Sequence, residues 1–141
     1  MKQNPIPQGK YCPAIRHGDL IYTAGMTPRK NGVLIQSGQV QIGRPVEDYR
    51  QAVEQAADNA LTAARNVLKE GERLAQVLFL TVYVNAEPGY TSHTAIGDLA
   101  TEYLCRELGE AGVGARAALG MASLPGNAPV EIQLVAAAGP Q

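Results

Sequence analysis

Tryptophan is missing from this sequence, phenylalanine occurs once, and aromatic residues make up 5% of its 141 positions. Twelve basic residues face thirteen acidic ones, for a net charge of −1. With neither a basic stripe nor an aromatic one, the chain lacks what draws in and stacks a nucleic acid, and no overall field pulls it to an anionic membrane. The longest candidate membrane run, Val77 to Val84, is far too short to span a bilayer. The opening Met-Lys-Gln-Asn-Pro-Ile-Pro has no apolar stretch of the signal-peptide kind, so a cytoplasmic protein is expected. Cys12 and Cys105 could form one bridge at most and are expected as free thiols in a reducing compartment. Only His17 and His93 accompany them, with no close Cys/His spacing, so no metal site is expected. Charged residues are sparse as well, at 18%, which hints that copies of the chain cover part of its surface.

What is present fits one domain spanning residues 1–141, with no internal repeat and no low-complexity tract. Ala14 to Arg16 and Leu20 to Ala24 read as short strands joined at His17-Gly18-Asp19, and Gly25-Met26-Thr27-Pro28 breaks the second. Asn31-Gly32 is a turn signal, and Val33 to Val40 could supply a third strand with a kink at Gly38. From Pro45 to Glu70, Val46, Tyr49, Val53, Ala56, Ala57, Ala60, Leu61, Ala64 and Leu68 recur at helical spacing, with Gly71 as C-terminal cap. Val77 to Val84 reads as a central strand, and Thr91-Ser92 can cap a second helix. The glycines at 109, 112 and 114 end that helix, and strands follow at Ala115 to Ala122 and Val130 to Ala138. The order β-β-(β)-α-β-α-β-β predicts an α+β fold, with two helices on one face of a mixed sheet. The other face then has no helix to cover it, and association of copies through it is expected.

Two charges stand out in the last two strands. Arg116 lies among small apolar residues in Gly112 to Gly120, where a guanidinium is either on a wet face or paired with an anion. Small neighbours also leave room for a ligand carboxylate, which the guanidinium fork grips with two hydrogen bonds. Glu131 shares a strand face with Gln133, opposite Val130, Ile132 and Leu134; that face is either water-facing or holds a catalytic carboxylate. If residues 124–129 formed a plain hairpin loop, the two charges would lie about 20 Å apart. Either the strands are not simple neighbours, or the two side chains meet across a subunit interface. Tyr11 can be a pocket wall or a packing residue, and Gly25 can expose a backbone N–H or merely form a turn. His93 and Asp98 are near in sequence, but no nucleophile is placed to complete a triad. The 109–114 glycines lack the Lys-Ser/Thr of a phosphate loop.

Together, Gly18-Asp-Leu-Ile-Tyr-Thr-Ala-Gly25, Ala57-Asp-Asn-Ala-Leu61, Val77 to Val84, and Ala115-Arg-Ala through Leu124-Pro125 to Val130-Glu-Ile132 resemble the Rid family of reactive-intermediate deaminases, also called YjgF-type or L-PSP. The resemblance covers nearly the whole chain and implies a chorismate-mutase-like fold, a homotrimer, and ligand clefts between subunits. It implies that Arg116 holds the carboxylate of a 2-imino or enamino acid and that Glu131 positions the hydrolytic water. Tyr11 would line the pocket and Gly25 would lend its backbone. No cofactor is expected, because the imine is already electrophilic. Three positions depart from the family pattern: Ala24 replaces a serine, Ala118 a cysteine, and Thr94 an asparagine. These changes remove polar groups and add room, as in a divergent branch. A non-catalytic metabolite binder is the alternative. The endoribonuclease activity ascribed to some members fits poorly with the chain's acidic balance.

Overall fold

The computed structural model describes residues 2–141. Its main sheet has five strands: β1 (Ala14–His17), β2 (Leu20–Thr23), β5 (Glu72–Asn85), β6 (Ala115–Met121) and β7 (Val130–Pro140), in the spatial order β1-β2-β7-β5-β6. Only β5 and β6 run parallel, and they are joined through helix α2 (His93–Leu108). The other neighbours are antiparallel. Helix α1 (Arg50–Arg65) leads into β5, and both helices lie on one face of the sheet. The expected α+β architecture is therefore observed.

Alternation along the strands decides the two faces. Ile21, Leu80, Val82, Val130, Ile132 and Leu134 point toward the helices and are buried. Against them lies an alanine-rich stripe of α1, in which Ala56, Ala57, Ala60 and Ala64 are fully buried. Alanine costs little to order in a helix and brings the helix axis close to the sheet. Each buried Val, Leu or Ile contributes about 1.5–3 kcal/mol. The opposite face carries no helix, and Ile15, Leu20, Tyr22, Phe79 and Leu119 lie there, 38–56% exposed.

Three boundaries differ from expectation. Helix α1 is preceded by a 3-10 turn at Val46–Tyr49 and ends at Arg65, five residues early. Its apolar stripe continues because i→i−3 bonds from Val67 to Ala64 and from Leu68 to Arg65 keep both side chains against the core. Gly71, at φ 81°, then turns the chain into β5. The third strand expected over 33–40 shrinks to a separate two-stranded ribbon, β3 (Arg29–Lys30) and β4 (Val33–Leu34), turning at Asn31-Gly32. Gly38 (φ 102°) gives its N–H to Asn127, and Val40 bridges to Ala86, so this stretch is pinned at points rather than laddered. Finally, the central strand expected over Val77 to Val84 extends over Glu72–Asn85 as β5, and because it lies between β6 and β7 those two strands are not simple neighbours, one of the two alternatives above.

Candidate functional site

The sheet register sets the relation of the two charges. Arg116 is opposite Leu80 on β5, and Glu131 is opposite Tyr83. An odd separation of three residues along β5 puts them on opposite faces of the sheet. Arg116 faces α2, and Glu131 faces the side without helices. Within one chain they do not meet.

The guanidinium of Arg116 lies on α2. Its Nη1 donates to Thr101 Oγ1 at 3.0 Å and pairs with Asp98 Oδ1 at 2.9 Å, while Nη2 reaches the Thr94 carbonyl at 3.4 Å. Thr94, Gly97, Asp98 and Thr101 recur at i, i+3, i+4 and i+7, so they form one stripe of the helix. Gly97 permits the approach: a Cβ there would stand 3.0 Å from the guanidinium carbon. Ala118, two residues along β6, lies on the same side, 3.4 Å from that hypothetical Cβ. Nη1 thus has one hydrogen-bond acceptor and an ion-pair partner, whereas Nε–H and one proton of Nη2 have no acceptor among the described residues. That edge matches a carboxylate side-on. Thr94 contributes its carbonyl here, not its hydroxyl. Nearby, the bare Cα of Gly120 receives the His93 ring, where a Cβ would lie 2.6 Å from Nε2.

Glu131 occupies a second locality. The Ala24-Gly25-Met26 segment runs beside β7, held by Met26 N–H to Ile132 O at 2.7 Å and Ile132 N–H to Met26 O at 2.9 Å. This seats Gly25 against the Glu131 carboxyl so closely that a Cβ would collide with it. Among the described residues no cation pairs with Glu131, and burial raises its pKa above the usual carboxylate value. Ala24 packs against the core. Gly25 and Tyr11 line a cavity of about 160 Å³ under the N-terminal segment, together with Arg29, Asp58 and Asn59. The Tyr11 hydroxyl accepts the Gln8 N–H at 3.0 Å.

The candidate residues therefore fall in separate localities: Arg116 with Ala118 and the Thr94 carbonyl, Glu131 with Gly25, and Tyr11 with Gly25 in the cavity, which Glu131 does not line. Gly97, Asp98 and Thr101 were not singled out from sequence as neighbours of Arg116, although their helical spacing with Thr94 is a readable signal. Among the described residues no group of three or more His, Cys, Asp or Glu side chains could hold a metal ion. No helix among them is long and apolar enough to cross a membrane.

Comparison with known proteins gives a consistent picture. The chain is 32% identical to the Agrobacterium tumefaciens protein Atu1372, with a TM-score of 0.81 over 94% of this chain and 85% of that one. The YjgF gene product of E. coli shares the fold, at 24% identity and a TM-score of 0.66, covering 95% of this chain and 92% of that one. Protein TCP17 of Trypanosoma cruzi is 26% identical over 127 residues, 89% of this chain and 79% of that protein. The family model described as Endoribonuclease L-PSP matches residues 1–138, and the chain belongs to that family, the L-PSP or YjgF-type proteins.

Proposed function

We propose that this protein binds small carboxylates in clefts between copies of itself and hydrolyses 2-imino or enamino acids to 2-oxo acids and ammonia. The supporting observation is the Glu131 carboxyl: partly buried, unmatched by a cation among the described residues, and raised in pKa by burial. A carboxyl so held is a stronger base than a solvated one, as a group that takes a proton from water needs to be. Arg116 keeps one guanidinium edge for the substrate carboxylate. Because the two groups lie on opposite faces of one sheet, a working site needs Arg116 from one copy and Glu131 from another, as in a cyclic trimer. The balance is R–C(=NH₂⁺)–COO⁻ + H₂O → R–CO–COO⁻ + NH₄⁺. Arg116 orients the imine, and Glu131 takes a proton from the attacking water and returns it to the departing nitrogen.

A second reading, a carboxylate binder without turnover, is favoured by Ala24 and Ala118, which offer no polar group to the reacting centre. The family's descriptive name points to RNA cleavage. Twelve basic against thirteen acidic residues leave no surplus of cations to neutralise phosphates, so the imine reading is preferred. The test generates imines with an amino-acid oxidase and measures ammonia release. Acceleration by the protein, lost in Arg116→Ala and Glu131→Ala, supports the hydrolase. Carboxylate binding without acceleration leaves the binder.

A further inference from the structure

Asp98 stands in an unexpected place for a carboxylate clamp. It puts a negative charge 2.9 Å from Arg116 Nη1, yet its own side chain is 58% exposed. A surface ion pair of this kind adds little to stability, about 0–1 kcal/mol. It touches only Nη1, and the Nε/Nη2 edge of the delocalised guanidinium is left without a carboxylate. Asp98 Oδ2 has no donor among the described residues. Any carboxylate seated on the open edge therefore shares its cation with a like charge on the opposite side of the guanidinium, roughly 6–7 Å away.

We infer that Asp98 is a specificity-determining residue that makes the Arg116 site prefer carboxylates carrying a cationic nitrogen over plain carboxylates. The inference rests on the carboxylate-binding reading of Arg116 given above. Two charges in wet surroundings at this separation interact appreciably. For a plain anion that interaction is repulsive. For a zwitterion, the protonated amine or iminium beside the carboxylate is attracted by Asp98 and offsets part of the repulsion. The consequence fits the proposed reaction. The protonated 2-imino acid carries no net charge, whereas the 2-oxo acid product is an anion. The same aspartate that tolerates the substrate disfavours the product and speeds its departure. Thr101 and Gly97 contribute by holding the guanidinium close against α2 with Nη1 beside Asp98.

The experiment compares binding of 2-aminobutyrate and 2-oxobutyrate, near-isosteric probes that differ in the cationic nitrogen, by calorimetry at pH 7. The intact protein is expected to bind 2-aminobutyrate more tightly. In Asp98→Asn the ratio of affinities shifts by about tenfold toward 2-oxobutyrate, mainly because the oxo acid binds more tightly, and Asp98→Glu restores it. A purely structural role for Asp98 would weaken both ligands alike. An unchanged ratio in Asp98→Asn, with both ligands still sensitive to Arg116→Ala, overturns the inference and leaves the clamp intact. Binding that is indifferent to Arg116→Ala, or that is undetectable for both ligands, overturns the clamp and the inference with it.

Discussion

At Gly25 and Gly97 an added side chain would meet Glu131 and Arg116, the two residues of the proposed site. At Gly97 an added methyl pushes on the Arg116 guanidinium. Alanine is also the better helix former, by about 0.5–1 kcal/mol. Gly97→Ala should therefore raise the melting temperature or leave it unchanged while weakening carboxylate binding, a split that paired thermal melts and titrations would reveal. Gly25→Ala should displace Glu131 and cut ammonia release with little change in 2-oxobutyrate affinity. Burial raises the Glu131 pKa above 4.5. If Glu131 works as the base, kcat/KM should fall as pH drops through a value above that reference, and Glu131→Gln should abolish both the activity and the limb. Arg116 and Glu131 were legible as candidates because each is a lone charge in an apolar strand. Gly97 was not, because its role depends on a side chain nineteen residues away along the chain. Nothing local marks a glycine for that.

Among the elements, β1 and β5 are joined near one end of the sheet by Arg16 and Glu72. Nη1 meets Oε1 at 2.6 Å and Nη2 meets Oε2 at 2.9 Å, with both side chains four-fifths or more covered. This bidentate pair, with the Lys69 backbone N–H, holds Glu72 down to about 2. A carboxylate depressed on folding stabilises the native state above its unfolded value, and that contribution is lost as pH falls from about 4.5 toward 2. Glu72→Gln should lower stability at neutral pH and flatten the acid limb of a denaturation midpoint measured against pH. Elements with a long unbroken period, α1 and β5, were legible. The 33–40 stretch was not. Its β-forming residues suggested a full strand, but Gly38 and the point contacts to Asn127 and Asn85 leave only two residues in the ribbon. Strand order was hidden for a related reason: a loop of six residues permits a hairpin, yet only the competition of β5 for both edges decides against it.

At the scale of the molecule, the helix-free face is the feature to explain. Tyr22, Phe79 and Leu119 lie on it, 41–46% exposed, on three strands, and Glu131 opens onto the same side. Association through this face would bury them and bring a second copy toward Glu131. Leu119→Asp should yield a folded monomer by sedimentation and circular dichroism, with ammonia release lost although neither Arg116 nor Glu131 has changed. The central claim is that one site is built from Arg116 of one copy and Glu131 of another. It is tested most directly by unfolding Arg116→Ala and Glu131→Ala together, refolding the mixture, and measuring ammonia release from oxidase-generated imines. Random assembly of a cyclic oligomer restores both groups at about one site in four, so roughly a quarter of the wild-type rate is predicted. A mixture as inactive as its two parents, beside an active wild-type protein refolded the same way, would contradict it.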